Sequence, residues 1–148
     1  MRTATLLTAA FMFSACATTG STVQVKGKDV EIVELAGEWT GDYKGIESGR
    51  EGRITFNLGL GRHTADGEVL MYAANSDQAH SLPIQFVQVD DGRVSGKIGP
   101  YLDPACKCEV ETEFLGDLHG DVIDGTFVTR IASLSSEQTG LWSVSRND

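Results

Sequence analysis

The sequence predicts an all-β fold: an antiparallel up-and-down meander of about eight strands that closes into a small barrel. Apolar residues recur at every second position from Leu35 onward, which is the period of a β-strand. Asp-Gly pairs at 66–67, 91–92 and 124–125 lie between these stretches and are strong hairpin signals. The chain has 17 glycines and 3 prolines, and no segment has a sustained helical period, which favours strands and tight turns.

Length and charge restrict the function classes. The chain has 148 residues, enough for one domain with its own core. It carries 12 Lys and Arg against 21 Asp and Glu, and no basic stripe could neutralise a phosphate backbone, so we do not expect nucleic acid as a partner. No nucleophile elbow, phosphate loop or calcium loop is present. We therefore expect neither an enzyme nor a cofactor.

The N-terminus has the pattern of an export signal. Arg2 precedes an apolar run at 4–13, and small residues follow this run. The run is about half of the roughly 20 residues that cross a bilayer as a helix, which indicates a removable signal and not a membrane span.

The end of this signal resembles a bacterial lipobox. In that motif, which the sequence FSAC at 13–16 resembles, the signal is cut before a cysteine whose thiol carries diacylglycerol. The resemblance implies a lipoprotein signal peptide at 1–15 and Cys16 as the lipid attachment site, with an added acyl chain such as palmitate. Ala17 stands where retention in the inner membrane would want Asp, so the implied location is the bacterial outer membrane, facing the periplasm. The alternative is an ordinary signal peptide, cut after Ala15 or Ala17.

Residues 16–34 are predicted to form the lipidated N-terminus and a tether. The stretch ATTGSTVQVKGKD at 17–29 is polar, small and rich in turn-forming residues. Thirteen extended residues reach about 45 Å, enough to lift a domain clear of the lipid surface. The alternative for its second part is a small extra hairpin, with the apolar residues Val23, Val25, Val30 and Ile32 on either side of KGKD. The barrel domain is predicted to cover 35–148.

The eight strands are expected to follow one another along this domain. Their predicted ranges are 35–43, 52–60, 65–73, 82–89, 93–99, 106–115, 121–130 and 138–146. The strand at 82–89 is the least regular, because Val87 and Val89 break the alternation that Ile84 and Phe86 begin. Among the large side chains expected to point inward are Trp39, Phe56, Met71 and Phe127. A barrel of this size has an interior that side chains fill or that holds one small ligand.

The first and last strands together resemble the calycin (lipocalin-like) superfamily. The residues that carry the resemblance are Gly37-Glu38-Trp39 and Arg146. In that superfamily the tryptophan of a G-x-W motif packs against an arginine of the closing strand. The resemblance implies that Gly37, Trp39 and Arg146 close one end of the barrel. The T-D-Y motif and the C-terminal helix of lipocalins are missing, which puts a roomy cavity in doubt, and another antiparallel barrel or a sandwich is the alternative.

Two cysteines stand one residue apart in the sequence CKCEVETEF at 106–114. Three glutamates alternate with them, so that face should point to water and Cys106 and Cys108 inward. A disulfide suits an exported protein, although residues i and i+2 of a flat strand are about 6.5–7 Å apart at Cα, the upper edge of what a bridge permits. The turn signal DPA at 103–105 could bend the chain and shorten this gap. Two inert thiols and a soft-metal clamp are the alternatives.

These patterns lead to one functional prediction and one alternative. We expect a lipid-anchored envelope protein, attached to the membrane at Cys16, that binds a small apolar ligand in or at the mouth of its barrel. The alternative is a packed barrel that acts through its outer surface on another envelope protein, as an assembly factor or inhibitor. Interior volume distinguishes the two, because a filled core leaves no space for a ligand.

Overall fold

The computed structural model describes residues 21–72 and 77–147. Within these ranges the chain forms strands and one short helix. Their bounds are β1 Ser21–Lys26, α1 Asp29–Leu35, β2 Gly37–Gly45, β3 Glu51–Leu58, β4 Thr64–Tyr72, β5 Ala79–Leu82, β6 Ile84–Asp90, β7 Arg93–Asp103, β8 Cys108–His119, β9 Val122–Ile131 and β10 Glu137–Arg146. The predicted signal peptide at 1–15 and Cys16 lie outside the described residues.

In the part of the chain that the structure describes, nine strands close into a barrel, in the order β1-β6-β7-β8-β9-β10-β2-β3-β4, and β4 pairs back to β1. All neighbours are antiparallel except β1 and β6, which run parallel. The remaining strand, β5, pairs with the last part of β4, where Val69 lies opposite Leu82 and Tyr72 opposite Ala79. No helix in the described ranges is long and apolar enough to cross a bilayer.

The predicted fold class is confirmed: the protein is nearly all β and forms a closed barrel. The eight predicted strands correspond to β2, β3, β4 and β6–β10, with ends shifted by a few residues. The sheet is mixed and not purely up-and-down, because β1 enters it between β6 and β4.

The main difference from the sequence prediction lies at residues 21–34, which we predicted as tether. They form β1 and α1, so the barrel includes the chain from Ser21 onward and not only from Leu35. The physical reason is burial: Val23 and Val25 are 0% and 4% exposed, and Ile32 and Leu35 are 2% and 1% exposed. These side chains belong to the core of the barrel.

The irregular strand at 82–89 is explained by a break in pairing. The register between β6 and β7 shifts between Ile84 and Phe86. An extra residue in one strand reverses the faces beyond it. Val87 is therefore buried in the barrel. Phe86, which the alternation placed on the same face as Ile84, lies on the outside, where the ammonium group of Lys26 is 4.7 Å from its ring centroid.

Candidate functional site: an apolar cavity inside the barrel

The barrel encloses a cavity of about 370 Å³. Its walls are mostly apolar and aromatic, with Phe56, Phe114 and Trp142 among them. At the end near α1 the lining residues Leu35, Trp39, Val94, Ile123 and Val144 are buried. At the other end, which we call the mouth, Ser48, Ala105 and Cys106 line the cavity and are exposed. The cavity is thus closed at one end and open at the other.

Glycines explain why aromatic residues line this interior without filling it. A Cβ atom on Gly116 would lie 2.6 Å from Cζ2 of Trp142, so the indole ring reaches across β9 and sits directly on the backbone of β8. In three other pairs the ring lies over a glycine of the adjacent strand and is closer still: Tyr43 over Gly52, Phe114 over Gly96 and Phe127 over Gly140. Each ring occupies the place of an absent side chain, which leaves the axis of the barrel open.

The closed end is built by the residues of the predicted G-x-W motif. The structure places the guanidinium of Arg146 over the ring of Trp39, 4.4 Å from its centroid. The indole Nε1 of Trp39 donates a hydrogen bond of 2.9 Å to the carbonyl of Leu35, at the end of α1. Gly37 has a φ of +133°, and a Cβ there would lie 3.2 Å from Nη1 of Arg146. Glycine is therefore the residue that lets the arginine pass.

The same arginine ties α1 to the barrel. Its Nη1 donates to the carbonyl of Ala36, and its Nη2 donates to the carbonyl of Glu34 at 2.8 Å. These acceptors are carbonyls at the C-terminus of α1, where a helix leaves acceptors without partners and favours a positive charge. Gly37, Trp39 and Arg146 are thus brought together, and they hold α1 across the closed end.

The mouth contains an ion pair between half-buried Arg50 and buried Asp103, which the sequence did not predict. Arg50 holds Asp103 through two hydrogen bonds: Nη2 donates to Oδ1 at 3.0 Å, and Nη1 donates to Oδ2. The carboxylate also accepts a bond of 2.8 Å from the backbone N–H of Ala105. The pair therefore fixes the β7–β8 connection against the β2–β3 connection, two segments that are far apart in the sequence.

Burial and pairing shift the pKa values of groups near the mouth. Burial acts to raise the pKa of Asp103, but the Arg50 guanidinium and the N–H groups of Ala105 and Cys106 outweigh it, so the pKa is lowered. Burial raises the pKa of the Tyr43 and Tyr101 phenols. Both phenols are neutral at ordinary pH, as an unshifted tyrosine also is, and can act as hydrogen-bond donors.

The predicted cysteine pair lies at the mouth. The Sγ atoms of Cys106 and Cys108 are at disulfide-bonding distance, and their Cα atoms are 5.2 Å apart. The gap is short because the chain turns at 104–107, where Lys107 has a φ of +53°. Cys106 lies in this turn, is exposed and lines the cavity at its mouth. Cys108 begins β8 and is half-buried.

The predicted site residues fall into two groups at opposite ends of the barrel. Gly37, Trp39 and Arg146 form the closed end, whereas Cys106 and Cys108 border the mouth. Sequence reasoning missed Arg50 and Asp103; Asp103 was visible only as part of a turn signal, and nothing in the chain indicated its partner. Among the residues that the structure describes, no three His, Cys, Asp or Glu side chains are grouped so that they could hold a metal ion.

Comparison with protein-family models, with curated proteins and with solved structures finds no match for this chain.

Proposed function

We propose that this protein is a lipid-anchored envelope protein that binds one small apolar ligand inside its barrel, without catalysing a reaction. The observation that carries the proposal is the cavity of about 370 Å³, which is within the range of small-molecule sites. Apolar side chains surround it, and transfer of apolar surface from water to such a site is favourable. The few polar groups stand near its mouth, where they can orient a ligand.

The cavity also favours this proposal over the alternative. A barrel that acts through its outer surface on another envelope protein needs no interior space, and packed side chains would stabilise it better than a void does. The glycines beneath Tyr43, Phe114, Phe127 and Trp142 keep the interior open at a cost in packing, which is the arrangement that a binding protein requires.

Anchoring at Cys16 is supported by the lipobox-like sequence at 13–16. Three acyl chains exceed the two membrane signals that stable anchoring requires. The implied location is the outer membrane, facing the periplasm. Mass spectrometry of the N-terminal peptide from a bacterial host tests it: the peptide should begin at Cys16 with added acyl mass, and Cys16→Ser should abolish that mass. A mature chain that begins at Cys16 without acyl mass, or that begins at residue 18, would contradict the anchor.

Binding is tested with N-phenyl-1-naphthylamine, a neutral apolar dye whose fluorescence rises in apolar surroundings. We expect saturable binding of one dye per chain. The variant Val69→Phe places a larger side chain in the cavity and should weaken binding at least tenfold. Its matched control is Thr126→Phe, which adds the same ring to an exposed position on β9 and should bind as the unaltered protein does.

The dye result can also reject the proposal. A protein that shows no saturable dye binding, or that binds equally well with Phe at position 69, does not use the cavity. Val87→Phe, at a second cavity position, serves if Val69→Phe fails to fold.

A further inference from the structure

We propose that the mouth of the barrel docks on the lipid bilayer that holds the anchor, so that the cavity opens toward lipid and not toward the periplasm. The inference rests on the proposed function, because it assumes both the lipid at Cys16 and an apolar ligand. The occupant of the docking surface is a bilayer of neutral, zwitterionic phospholipid.

Among the described residues, three exposed aliphatic side chains border the mouth on the side formed by β7 to β10 and β2, and we call them the apolar rim. Ile46 follows β2, Leu102 lies at the end of β7, and Leu134 is in the β9–β10 connection; they are 64%, 69% and 58% exposed. Each lies in or beside a different connection at the mouth end, and β7 to β10 and β2 follow one another around the barrel. Large apolar groups at neighbouring positions gain free energy when they leave water together.

The direction of β1 decides which end of the barrel faces the anchor. β1 runs parallel to β6, from the mouth end toward α1, so its first residue, Ser21, is the one nearest the mouth. Five residue steps separate Cys16 from Ser21, and fully extended they reach about 17 Å. Ser21 lies opposite Gly67 of β4, and β4 continues from there to Tyr72 at the mouth end, about 17 Å along the strand. The anchor can therefore reach the level of the mouth.

The opposite orientation is out of reach for this segment. A bilayer below the closed end would require the chain to turn back at Ser21 and run past the whole of β1, about 17 Å. It would then have to pass α1, which adds the diameter of a helix, about 10 Å. The same five residue steps are too short for that path. The exposed apolar residues at the closed end, such as Leu60, therefore do not mark the docking surface.

Charge selects the type of lipid. The formal net charge of the chain is −9, so an anionic surface repels it as a whole. The ion pair of Arg50 and Asp103 at the mouth is internally neutralised, which lowers the cost of bringing it near lipid. The apolar rim and a neutral bilayer are thus the matching surfaces, and an apolar ligand could pass between lipid and cavity without crossing water.

The experiment uses the full lipidated protein in liposomes of phosphatidylcholine and phosphatidylethanolamine, at a low protein-to-lipid ratio. Hydrogen exchange should be slower in the connections 46–50, 104–107 and 132–136 than in the same protein in detergent, and unchanged at 59–63. Transfer of N-phenyl-1-naphthylamine from the liposomes into the barrel should slow at least threefold for Leu134→Asp. The matched control Leu60→Asp changes an exposed leucine in a turn at the opposite end and should leave the rate unchanged.

The outcomes separate this inference from the proposed function. If the dye binds in solution but Leu134→Asp and Leu60→Asp transfer it equally fast, the inference fails and the binding function stands. Slower hydrogen exchange at 59–63, or at none of the three mouth connections, also overturns the inference. Slower exchange that increases with the protein-to-lipid ratio overturns it as well, because it reflects contact with a second copy. If the dye does not bind in solution, the proposed function fails first. Ile46→Asp serves as a second rim variant.

Discussion

Arg146 and Trp39 join the last strand of the barrel to the strand that follows α1: the guanidinium lies 4.4 Å from the centroid of the indole ring, and Arg146 and Trp39 are also directly paired between β10 and β2. The side chain of Arg146 is 27% exposed and its Nε donates to Asp121 at 2.9 Å. One residue thus stacks on the ring that closes the barrel, bonds to the end of α1 and contacts the β8–β9 turn.

Substitution of this arginine should destabilise the closed end. We expect Arg146→Lys to lower the free energy of unfolding by about 2–3 kcal/mol, because an ammonium cannot stack as a plane and bond two carbonyls at once. Denaturant unfolding measures this loss. Arg93→Lys is the control, because Arg93 is exposed and contacts Asp117 at 3.6 Å; it should change stability by less than about 0.5 kcal/mol. Equal effects of the two substitutions would contradict a special role for Arg146.

The glycines under the aromatic rings should not tolerate even a methyl group. Gly140→Ala places a Cβ against the ring of Phe127 and the carbonyl of Lys44, and we expect a loss of about 1–3 kcal/mol. Gly59→Ala is the matched control, because its Cβ would meet only the Cγ of Arg62, an exposed side chain that can move. Thermal unfolding compares the two. If Gly140→Ala is as stable as Gly59→Ala, the ring does not lie on this glycine.

The alternation of apolar residues predicted most of the barrel because each strand has one face toward solvent and one face toward the interior. It failed where the local signal was short or interrupted. Val23 and Val25 give only two alternating positions, so β1 could not be distinguished from a hairpin or tether, and its parallel partner is remote in sequence. α1 has seven residues, too few to establish a helical period.

The site was predictable only where a motif marked it. Gly37, Trp39 and Arg146 stood out through the resemblance to calycins, and the two cysteines through their spacing. The ion pair of Arg50 and Asp103 could not be foreseen. Barrel closure brings the two residues together, and no motif or spacing in the sequence links one to the other. The open interior was equally hidden, since it depends on which glycine lies beneath each ring.

The ion pair at the mouth should make stability depend on acid pH. The pKa of Asp103 is lower in the folded protein than in the unfolded chain, so its contribution is present above about pH 4 and is lost as pH falls through the folded value. We expect Asp103→Asn to lower the free energy of unfolding at pH 7 by about 1–3 kcal/mol and to flatten its decline below about pH 4. Asp117→Asn, at an exposed position, should keep the original decline. If the free energy of unfolding of Asp103→Asn falls below about pH 4 as steeply as that of the unaltered protein, Asp103 does not have this role.

The two cysteines should be found oxidised in protein isolated without reductant. The turn at 104–107 brings their Cα atoms to 5.2 Å, within the range that a disulfide requires. Intact mass spectrometry should show the pair two hydrogens lighter than the dithiol. Because the closed loop is so short, we expect Cys106→Ser with Cys108→Ser to cost less than about 2 kcal/mol of stability. Recovery of two alkylatable thiols without reductant would contradict the bridge.

Native mass spectrometry of the protein from its original host, released under mild conditions, tests most directly whether the barrel is a container for an apolar molecule. We predict a mass excess of one small molecule per chain, beyond the acyl groups on Cys16, that is displaced by N-phenyl-1-naphthylamine and absent from Val69→Phe but present in Thr126→Phe. A chain that carries no such excess and takes up no dye would contradict it.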